Sequence, residues 1–379
     1  MPFSFRSLAD GAAQRDNNFN LIRLFAAWLV IYGHSYAVTA SSEQDLVSRL
    51  VQIRFSGSIA VDMFFVISGF LIAASFERHR LRDYLAARAL RIFPALVVCV
   101  SLSVFVMGAL LTTSPEYWHS SQTWKYLIRN ITLDKAQYFL PGVFEDLPNK
   151  AINGSIWSLP VEFRLYLLLA ALGLARLLRG WRYNTLFAIG LVAGFTMVDT
   201  STMPPWRVAN LWCQAFFATG IFAWVNRARI PLAWPLLVAV LVVAAMTRGM
   251  KYDYVAYFIA LAYTTFFVAY VPKLPQIRHY DLSYGLYLYG WPSQQLVLHF
   301  APGSSPVAVT FWATLMAGSL AALSWRFVER PALGFKRRLD RKPPAAAPDI
   351  EPAPGSTPEP TPEPTPPEPV APNAIRDPA

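Results

Sequence analysis

Charged residues and cysteines are both scarce in this chain of 379 residues. Only 15% of the residues are Asp, Glu, Lys or Arg, whereas 55% are hydrophobic and the mean hydropathy is +0.34. This composition excludes an ordinary soluble globular domain and is typical of an integral membrane protein. The two cysteines, Cys99 and Cys213, fall inside apolar segments, so the sequence offers neither a disulfide framework nor a cysteine-based metal site.

The apolar residues form runs that are long enough to cross a bilayer. We predict an all-α fold, a polytopic membrane helix bundle with about ten transmembrane helices. The predicted spans are residues 19–38, 57–76, 94–113, 155–175, 185–199, 207–225, 232–247, 254–271, 283–300 and 306–329.

Lysine and arginine are unevenly divided between the two sets of loops that connect these spans. The set that includes both termini holds most of them, so the positive-inside rule predicts that both termini are cytoplasmic. This topology explains the net charge of +10 without a nucleic-acid partner. The predicted organisation is a cytoplasmic segment over residues 1–18, a transmembrane domain over 19–333, and a basic, then proline-rich, disordered cytoplasmic tail over 334–379.

The first span carries an arginine and a histidine in the stretch "RLFAAWLVIYGH". Ionisable residues inside a bilayer are costly, which makes them functional candidates. On a helix, Arg23 and His34 lie on nearly the same face and are separated by roughly 16 Å along the axis. A snorkelling arginine or a hydrogen-bonded histidine would explain either residue alone, but together they indicate a polar path through the protein.

Two acidic residues are expected at moderate depth in neighbouring spans. Asp62 lies near the outer start of the second span, at a depth similar to that of His34, so we expect its carboxylate to orient the imidazole as a general base. Glu162, in "NGSIWSLPVEFRLYLL", shares a predicted helical face with Ser155 and Tyr166. Pairing of Glu162 with a structural arginine is the alternative.

A basic stretch, "ERHRLRDYLAARALRIFPAL", precedes the third span on the predicted cytoplasmic side. Arg88 and Arg91 are about one helical turn apart and can point together at an anion, as phosphate recognition requires. The alternative is that these arginines only set the orientation of the protein in the membrane.

In combination, these blocks resemble the acyltransferase-3 family of bacterial membrane acyltransferases, which includes O-antigen and other polysaccharide O-acetylases. The similarity runs from about Asn18 to Leu333. It rests on the spacing of Arg23 and His34, on the arginine pair followed by "IFP", and on the blocks "GSIAVDMFFVISGFLI", "WSLPVEF", "LSYGLYLYGWP" and "SWRFVERP". Two departures stand out: Gly290 occupies a position where many members carry histidine, and no fused hydrolase-like domain follows the tenth span.

The resemblance implies transfer of an acyl group, commonly acetyl from acetyl-CoA, to a carbohydrate hydroxyl at the outer side of the bacterial cytoplasmic membrane. The protein would be a multi-pass enzyme of the lipid bilayer with no permanently bound cofactor or metal. The implied residues are His34, Asp62 and Glu162 for catalysis, Arg23, Arg88 and Arg91 for acyl-CoA, and Ser155, Trp157, Tyr166, Tyr284 and Glu329 as candidate supporting residues.

Three questions stay open at the level of sequence. His34 either deprotonates the acceptor hydroxyl directly or carries the acyl group transiently. Buried ionisable residues in a helix bundle are also compatible with a proton-coupled transporter or a flippase for a glycan or lipid-linked substrate, although the two halves show no inverted repeat. The acceptor sugar and its hydroxyl position are not fixed.

Overall fold

The structure, a computed structural model, describes residues 6–14, 16–198, 200–277 and 280–339. Within these residues the regular structure is almost entirely helical, and the only strands are the two-residue segments β1 (Arg6–Ser7) and β2 (Pro231–Leu232), which pair antiparallel. The predicted all-α fold class is therefore confirmed. Arg15, Arg278 and the proline-rich part of the predicted tail lie outside the described residues.

Fifteen α-helices follow one another along the described chain, and the segment 132–153 is a long connection between two of them. They are α1 (Leu8–Ala13), α2 (Phe19–Val38), α3 (Leu46–Val51), α4 (Ser56–Arg78), α5 (Leu81–Leu102), α6 (Ala109–Leu111), α7 (Ser121–Ile131), α8 (Ser158–Leu174), α9 (Gly180–Thr196), α10 (Pro205–Val225), α11 (Trp234–Met246), α12 (Asp253–Tyr270), α13 (Ser283–Phe300), α14 (Pro306–Ser324) and α15 (Arg330–Leu339). Two π-helical segments, Ser103–Gly108 and Trp325–Glu329, continue α5 and α14, and two 3₁₀ turns lie at Gly154–Trp157 and Thr200–Thr202.

Seven helical segments of the described chain are long and apolar enough to cross a membrane. They are Phe19–Val38, Ser56–Arg78, Leu81–Leu111, Gly154–Leu174, Pro205–Val225, Asp253–Tyr270 and Pro306–Phe335. The other three predicted spans also contain helices, α9, α11 and α13, of which α11 is apolar but shorter than a full span. The total of about ten spans and the cytoplasmic placement of the termini stay predictions.

The third span begins further upstream than the sequence predicts. Helix α5 begins at Leu81 rather than at residue 94, and Pro94 lies inside it. Tyr84, Ala87 and Ile92 are buried at helical spacing along this segment, which gives it an apolar face that packs on the bundle. Arg88 and Arg91 therefore belong to the same rigid helix as the span, not to a loop.

The predicted boundary of the transmembrane domain at residue 333 falls inside a helix. Helix α15 continues to Leu339, beyond that boundary, and follows the π-helical segment Trp325–Glu329 without interruption. It packs against α5, so the first residues assigned to the tail continue the bundle as helix.

Helices α4 and α10 cross in direct backbone contact. A Cβ atom built on Gly69 would lie 2.0 Å from the carbonyl oxygen of Phe217, and one built on Gly220 would lie 2.2 Å from the carbonyl oxygen of Val66. Small residues allow membrane helices to approach this closely. The contact fixes which side of α4 faces α10, and hence the direction in which the polar side chains of α4 point.

Helix α2 is held between α4, α13 and α14. The Gln294 side chain of α13 donates hydrogen bonds to the Ile31 carbonyl at 2.7 Å and to Ser35 Oγ at 2.8 Å. A Cβ atom on Gly290 would lie 2.7 Å from Ile31 Cγ1, so glycine at this position lets α13 approach α2. A histidine at position 290 does not fit this packing without a displacement of Ile31.

Candidate active site

Residues of α2, α4, α5, α8 and α13 surround a cavity of about 290 Å³. We call it the donor cavity, after the acyl-donor role that the sequence analysis predicts for its arginines. One part of its wall carries Arg23, Arg88 and Arg91, which come from α2 and α5. Another part is apolar and aromatic, with Phe64 and Tyr287 in edge-to-face contact at 5.8 Å between ring centroids. The structure thus brings together the three arginines that the sequence analysis assigns to the acyl donor.

Asp281, which precedes α13, links two of these arginines. Its Oδ2 lies 3.2 Å from Arg23 Nη1 and 2.8 Å from Arg91 Nη2. Ser283 Oγ donates a hydrogen bond to its Oδ1 at 2.6 Å. Burial acts to raise the pKa of Asp281, but the charges of Arg23 and Arg91 together with Ser283 outweigh it and hold the pKa well below the usual value. Asp281 is therefore ionised and fixes both guanidinium groups.

The π-helical segment Trp325–Glu329 brings a second carboxylate to Arg91. Glu329 Oε2 lies 3.6 Å from Arg91 Nη1, and Glu329 Oε1 accepts a hydrogen bond from Ser324 Oγ at 3.1 Å. The Arg91 guanidinium also lies 5.4 Å from the centre of the Tyr284 ring, within the range of a cation–π contact. Two of the candidate supporting residues, Glu329 and Tyr284, therefore contact the Arg91 guanidinium group.

Arg88 differs from the other two arginines of the donor cavity. It makes no ion pair within the described part of the chain, and its Nε atom is buried without a hydrogen-bond partner there. Buried polar groups are normally paired. Arg88 thus lines the donor cavity with a charge that no acidic residue of the described chain offsets.

Glu162 also lines the donor cavity, where it accepts hydrogen bonds from Ser68 Oγ at 3.0 Å and from the Tyr166 hydroxyl. Ser155 does not continue the face of Glu162 and Tyr166, because Gly154–Trp157 is a 3₁₀ turn that precedes α8. The predicted common helical face of these three residues is therefore wrong for Ser155. Its carbonyl oxygen accepts a hydrogen bond from the Tyr287 hydroxyl at 2.6 Å.

His34 lies outside the donor cavity, towards the opposite end of α2 from Arg23. Its ring makes edge-to-face contacts with Phe55 and Trp291, at 5.2 Å and 4.8 Å between centroids. Trp291 is in turn held by a hydrogen bond from its Nε1 to the Ala151 carbonyl at 2.9 Å. Since Tyr287 of the cavity wall precedes Trp291 by one helical turn, His34 stands about one turn beyond the aromatic end of the cavity.

The sequence predicts that Asp62 orients His34, but in the structure its carboxylate contacts Arg54 and Tyr257 instead. Its Oδ2 lies 2.7 Å from Arg54 Nε and accepts a hydrogen bond from the Tyr257 hydroxyl at 2.9 Å, and its Oδ1 accepts one from Arg54 Nη2 at 3.1 Å. Asp62 contacts Tyr257 of α12 directly, and Trp212 of α10 lies against the Arg54 that Asp62 binds. The predicted orientation of His34 by Asp62 is therefore corrected: the carboxylate holds Arg54.

The predicted site residues thus divide into two groups. Arg23, Arg88, Arg91, Glu162, Tyr166 and Tyr284 line the donor cavity. Glu329 reaches it through Arg91, while His34, Asp62, Ser155 and Trp157 are not part of its wall. Trp157 packs, partly buried, against the apolar core.

Residues 16–326 match the family described as the acyltransferase domain, acyltransferase 3. The chain belongs to the acyltransferase-3 family. An O-acetyl transferase of Shigella phage Sf6 is 29% identical, and the match covers 88% of this chain and 99% of that protein. Nodulation protein 10 of Rhizobium leguminosarum bv. viciae is 26% identical over 85% of this chain and 95% of its own length. No solved structure matches the chain.

A shorter similarity is to another protein named an acyltransferase. The acyltransferase MdmB of Streptomyces mycarofaciens is 30% identical, over 38% of this chain and 36% of that protein. The resemblance stated from the sequence blocks is therefore confirmed, and the chain is a membrane O-acyltransferase.

Two charged residues of this acyltransferase, Asp281 and Arg54, are absent from the predicted site. Asp281 had a usable signal, because it is the only acidic residue between Asp253 and Glu329 in the sequence and buried arginines need an acidic partner. Arg54 has no such signal. In sequence it is one of two basic residues, with Arg49, in the connection between the first two spans, and only the tertiary packing shows that it turns back onto Asp62.

Proposed function

We propose that the protein transfers an acetyl or other short acyl group from acyl-CoA to a hydroxyl group of a carbohydrate. The observation that carries the proposal is the convergence of Arg23, Arg88 and Arg91 on one cavity with an aromatic end. Planar guanidinium groups suit the phosphates of a nucleotide-containing donor. Asp281 and Glu329 offset part of the charge of Arg23 and Arg91, so these two arginines act mainly as fixed hydrogen-bond donors. Arg88 has no acidic partner within the described chain and contributes its charge as well.

The size of the donor cavity supports binding of the narrow part of such a donor. Its volume of about 290 Å³ is at the lower end of the range of about 300–1,000 Å³ that is usual for small-molecule sites. It suits an extended pantetheine arm with a short acyl group. The nucleotide would then lie at the arginine end, and the thioester would point along the aromatic wall towards His34.

Beyond the aromatic end of the donor cavity, His34 serves as the general base. The acceptor hydroxyl oxygen attacks the thioester carbonyl carbon, so that a C–O bond forms and the C–S bond breaks. The hydroxyl proton passes to the imidazole and from there to the departing CoA thiolate. In the second route an imidazole nitrogen of His34 attacks the thioester carbonyl carbon, the C–S bond breaks, and the imidazole N–H proton leaves with the thiolate as CoA thiol. The acceptor hydroxyl oxygen then attacks the acyl-imidazole, the C–N bond breaks, and the hydroxyl proton returns to the imidazole.

Similarity to other proteins supports the acyl group and the acceptor that we propose. A relative named O-acetyl transferase that matches 88% of this chain supports acetyl as the transferred group. A carbohydrate acceptor on the outer side of the bacterial cytoplasmic membrane is what the family resemblance implies. Membership of an acyltransferase family favours this function over a transporter or flippase, which needs no thioester donor.

Arg88→Gln tests the donor assignment most cleanly, because Arg88 makes no ion pair within the described chain. A hydrogen bond to a charged group contributes about 1.5–3 kcal/mol, so we expect the KM for acetyl-CoA to rise by about tenfold or more. Arg88→Gln with Arg91→Gln should raise it further. The KM for O-deacylated surface polysaccharide as acceptor should change little.

Arg229→Gln is the matched control, because Arg229 is an exposed arginine remote from the donor cavity. It should leave both Michaelis constants unchanged. Initial rates of acetyl-CoA consumption by the protein in nanodiscs provide the measurement. Equal increases in the KM of donor and acceptor for Arg88→Gln, or no consumption of acetyl-CoA by the unmodified protein, would contradict the proposal.

A further inference from the structure

A second cavity is lined by residues that neighbour His34. It is an open cleft of about 600 Å³ formed by the end of α2, the connection to α3, α3 itself and the start of α4, and we call it the outer cleft. Gly33, the neighbour of His34 in sequence, and Phe55, whose ring contacts the histidine, both line it. Neighbours of His34 thus line the outer cleft, while Trp291, which also contacts the His34 ring, follows Tyr287 of the donor cavity by one helical turn.

The wall of the outer cleft carries two glutamine side chains that are free to bind a ligand. Gln44 and Gln52 line it and are exposed, and no hydrogen bond of their side chains is found within the described chain. The acidic residues of the wall are already engaged: Asp45 accepts hydrogen bonds from the Ser48 backbone and hydroxyl, and Glu43 lies 3.4 Å from Arg49. The free groups are thus neutral amides that both donate and accept.

The charge of Arg54 in the same wall is compensated. Asp62 pairs with two nitrogens of its guanidinium, Trp212 lies 4.6 Å from it, and the Arg54 side chain is 13% exposed. Asp62 itself is completely buried. A neutralised and rigid arginine offers directed N–H donors without attracting anions strongly, which disfavours a phosphate or carboxylate ligand.

We propose that the outer cleft binds the neutral sugar ring that carries the acceptor hydroxyl, and that Asp62 is a positioning residue that holds Arg54 in the wall of the cleft. This inference rests on the proposed function. A polyhydroxylated ring matches the mixed donors and acceptors of Gln44 and Gln52, and its C–H face matches the ring of Phe55. The volume of about 600 Å³ lies within the usual range for small-molecule sites of about 300–1,000 Å³.

Blocking the outer cleft with a bulky thiol reagent tests the proposal directly. The native Cys99 and Cys213 are 2% and 0% exposed, so a large polar maleimide should react only with an introduced cysteine. The test variants are Gln44→Cys and Gln52→Cys, and Gln122→Cys on α7 is the matched control, because it is an exposed glutamine outside the cleft. Transfer to O-deacylated surface polysaccharide and binding of acetyl-CoA are measured before and after labelling.

Labelled Gln44→Cys and Gln52→Cys should lose transfer by at least about tenfold and retain acetyl-CoA binding, whereas labelled Gln122→Cys should retain both. Transfer at the unlabelled rate through a fully labelled cleft would overturn this inference alone. An unmodified protein that neither binds acetyl-CoA nor transfers acetyl groups would overturn the proposed function instead. The two failures are therefore distinguishable.

Asp62→Asn separates a positioning role at Arg54 from the role at His34 that the sequence suggests. If Asp62 acts through Arg54, the variant should raise the KM for the polysaccharide and leave the KM for acetyl-CoA unchanged. If it acted through His34, kcat would fall and the KM for the polysaccharide would stay the same, which would overturn the assignment. Tyr257→Phe, which removes the other hydrogen bond to Asp62, should shift the same KM in the same direction and by less.

Discussion

Asp281 is the residue on which the arrangement of the donor cavity depends most. Asp281→Ala removes the carboxylate that lies 3.2 Å from Arg23 and 2.8 Å from Arg91. Arg91 would keep Glu329 at 3.6 Å, but Arg23 would have no ion-pair partner within the described chain. The two guanidinium groups would then repel each other without the anion between them.

The expected energetic effect follows from the burial of these groups. Removing one partner of a buried ion pair costs about 3–5 kcal/mol. The side chains of Asp281 and Arg91 are each 16% exposed and that of Arg23 is 22% exposed, so solvent reaches part of the charge and we expect about 2–3 kcal/mol in unfolding free energy. Asp281→Asn keeps an acceptor oxygen and should cost about 1–2 kcal/mol.

The effect on the donor distinguishes two roles for Asp281. If it positions Arg23 and Arg91, Asp281→Ala should raise the KM for acetyl-CoA by about tenfold, which corresponds to 1.4 kcal/mol. If its carboxylate instead competed with the phosphates of the donor, the same variant would bind acetyl-CoA more tightly. A lower dissociation constant for Asp281→Ala would therefore refute the positioning role.

The measurements are thermal unfolding and acetyl-CoA binding in nanodiscs. Asp83→Asn is the control, because Asp83 is an acidic residue in the first turn of α5 that makes no ion pair within the described chain. The pKa of Asp281 lies below the usual value. Its contribution to the unfolding free energy is therefore complete above about pH 4, the pKa of an unfolded aspartate, and is lost as the pH falls through the lower folded-state pKa. Acetyl-CoA binding should therefore not change between about pH 5 and 8 through this residue.

Two further predictions concern the fold and the tail. Gly69→Ala places a Cβ atom 2.0 Å from the Phe217 carbonyl oxygen and should lower the unfolding free energy by about 3 kcal/mol. Gly190→Ala is the control, because nothing lies within 4 Å of its Cβ position, and it should not lower the unfolding free energy. Equal melting temperatures for the two variants would contradict the crossing of α4 and α10. Truncation after Lys342 should leave the transfer rate intact, because a proline-rich segment has no apolar face to pack on the bundle; loss of activity in a correctly inserted truncated protein would show the opposite.

Local patterns in the sequence predict much of the fold. Every predicted span contains a helix, because runs of apolar residues are a local property that tertiary packing does not reverse. The sequence analysis begins the third span at residue 94, because charged residues lower the hydropathy of the preceding segment. That segment is nevertheless helical from Leu81 and has one buried face. The 3₁₀ turn before α8 carried a signal in Asn153 and Gly154, a dipeptide typical of turns, and the Asn153 side chain accepts a hydrogen bond from the Ser155 amide.

The site could be predicted only where its residues share one helix or one helical turn. Arg88 and Arg91 are one turn apart on α5, and their convergence on the donor cavity follows from that spacing. The partner of Asp62 could not be predicted, because the direction of its side chain depends on the backbone contact of Gly69 and Gly220 between α4 and α10. Similar depth in the membrane does not imply contact, since two helices at the same depth can turn their polar residues away from each other.

The central claim is that acyl transfer takes place at His34, between the donor cavity and the outer cleft. Turnover and acetyl-CoA binding of His34→Ala, measured together in nanodiscs with correct insertion confirmed, test it most directly. We expect turnover to fall by about 10²–10⁴-fold, the usual effect of losing a positioned general base. Acetyl-CoA binding should persist, because Arg23 lies at the other end of α2 and Arg88 and Arg91 lie on α5. Near-normal turnover by His34→Ala would contradict the account.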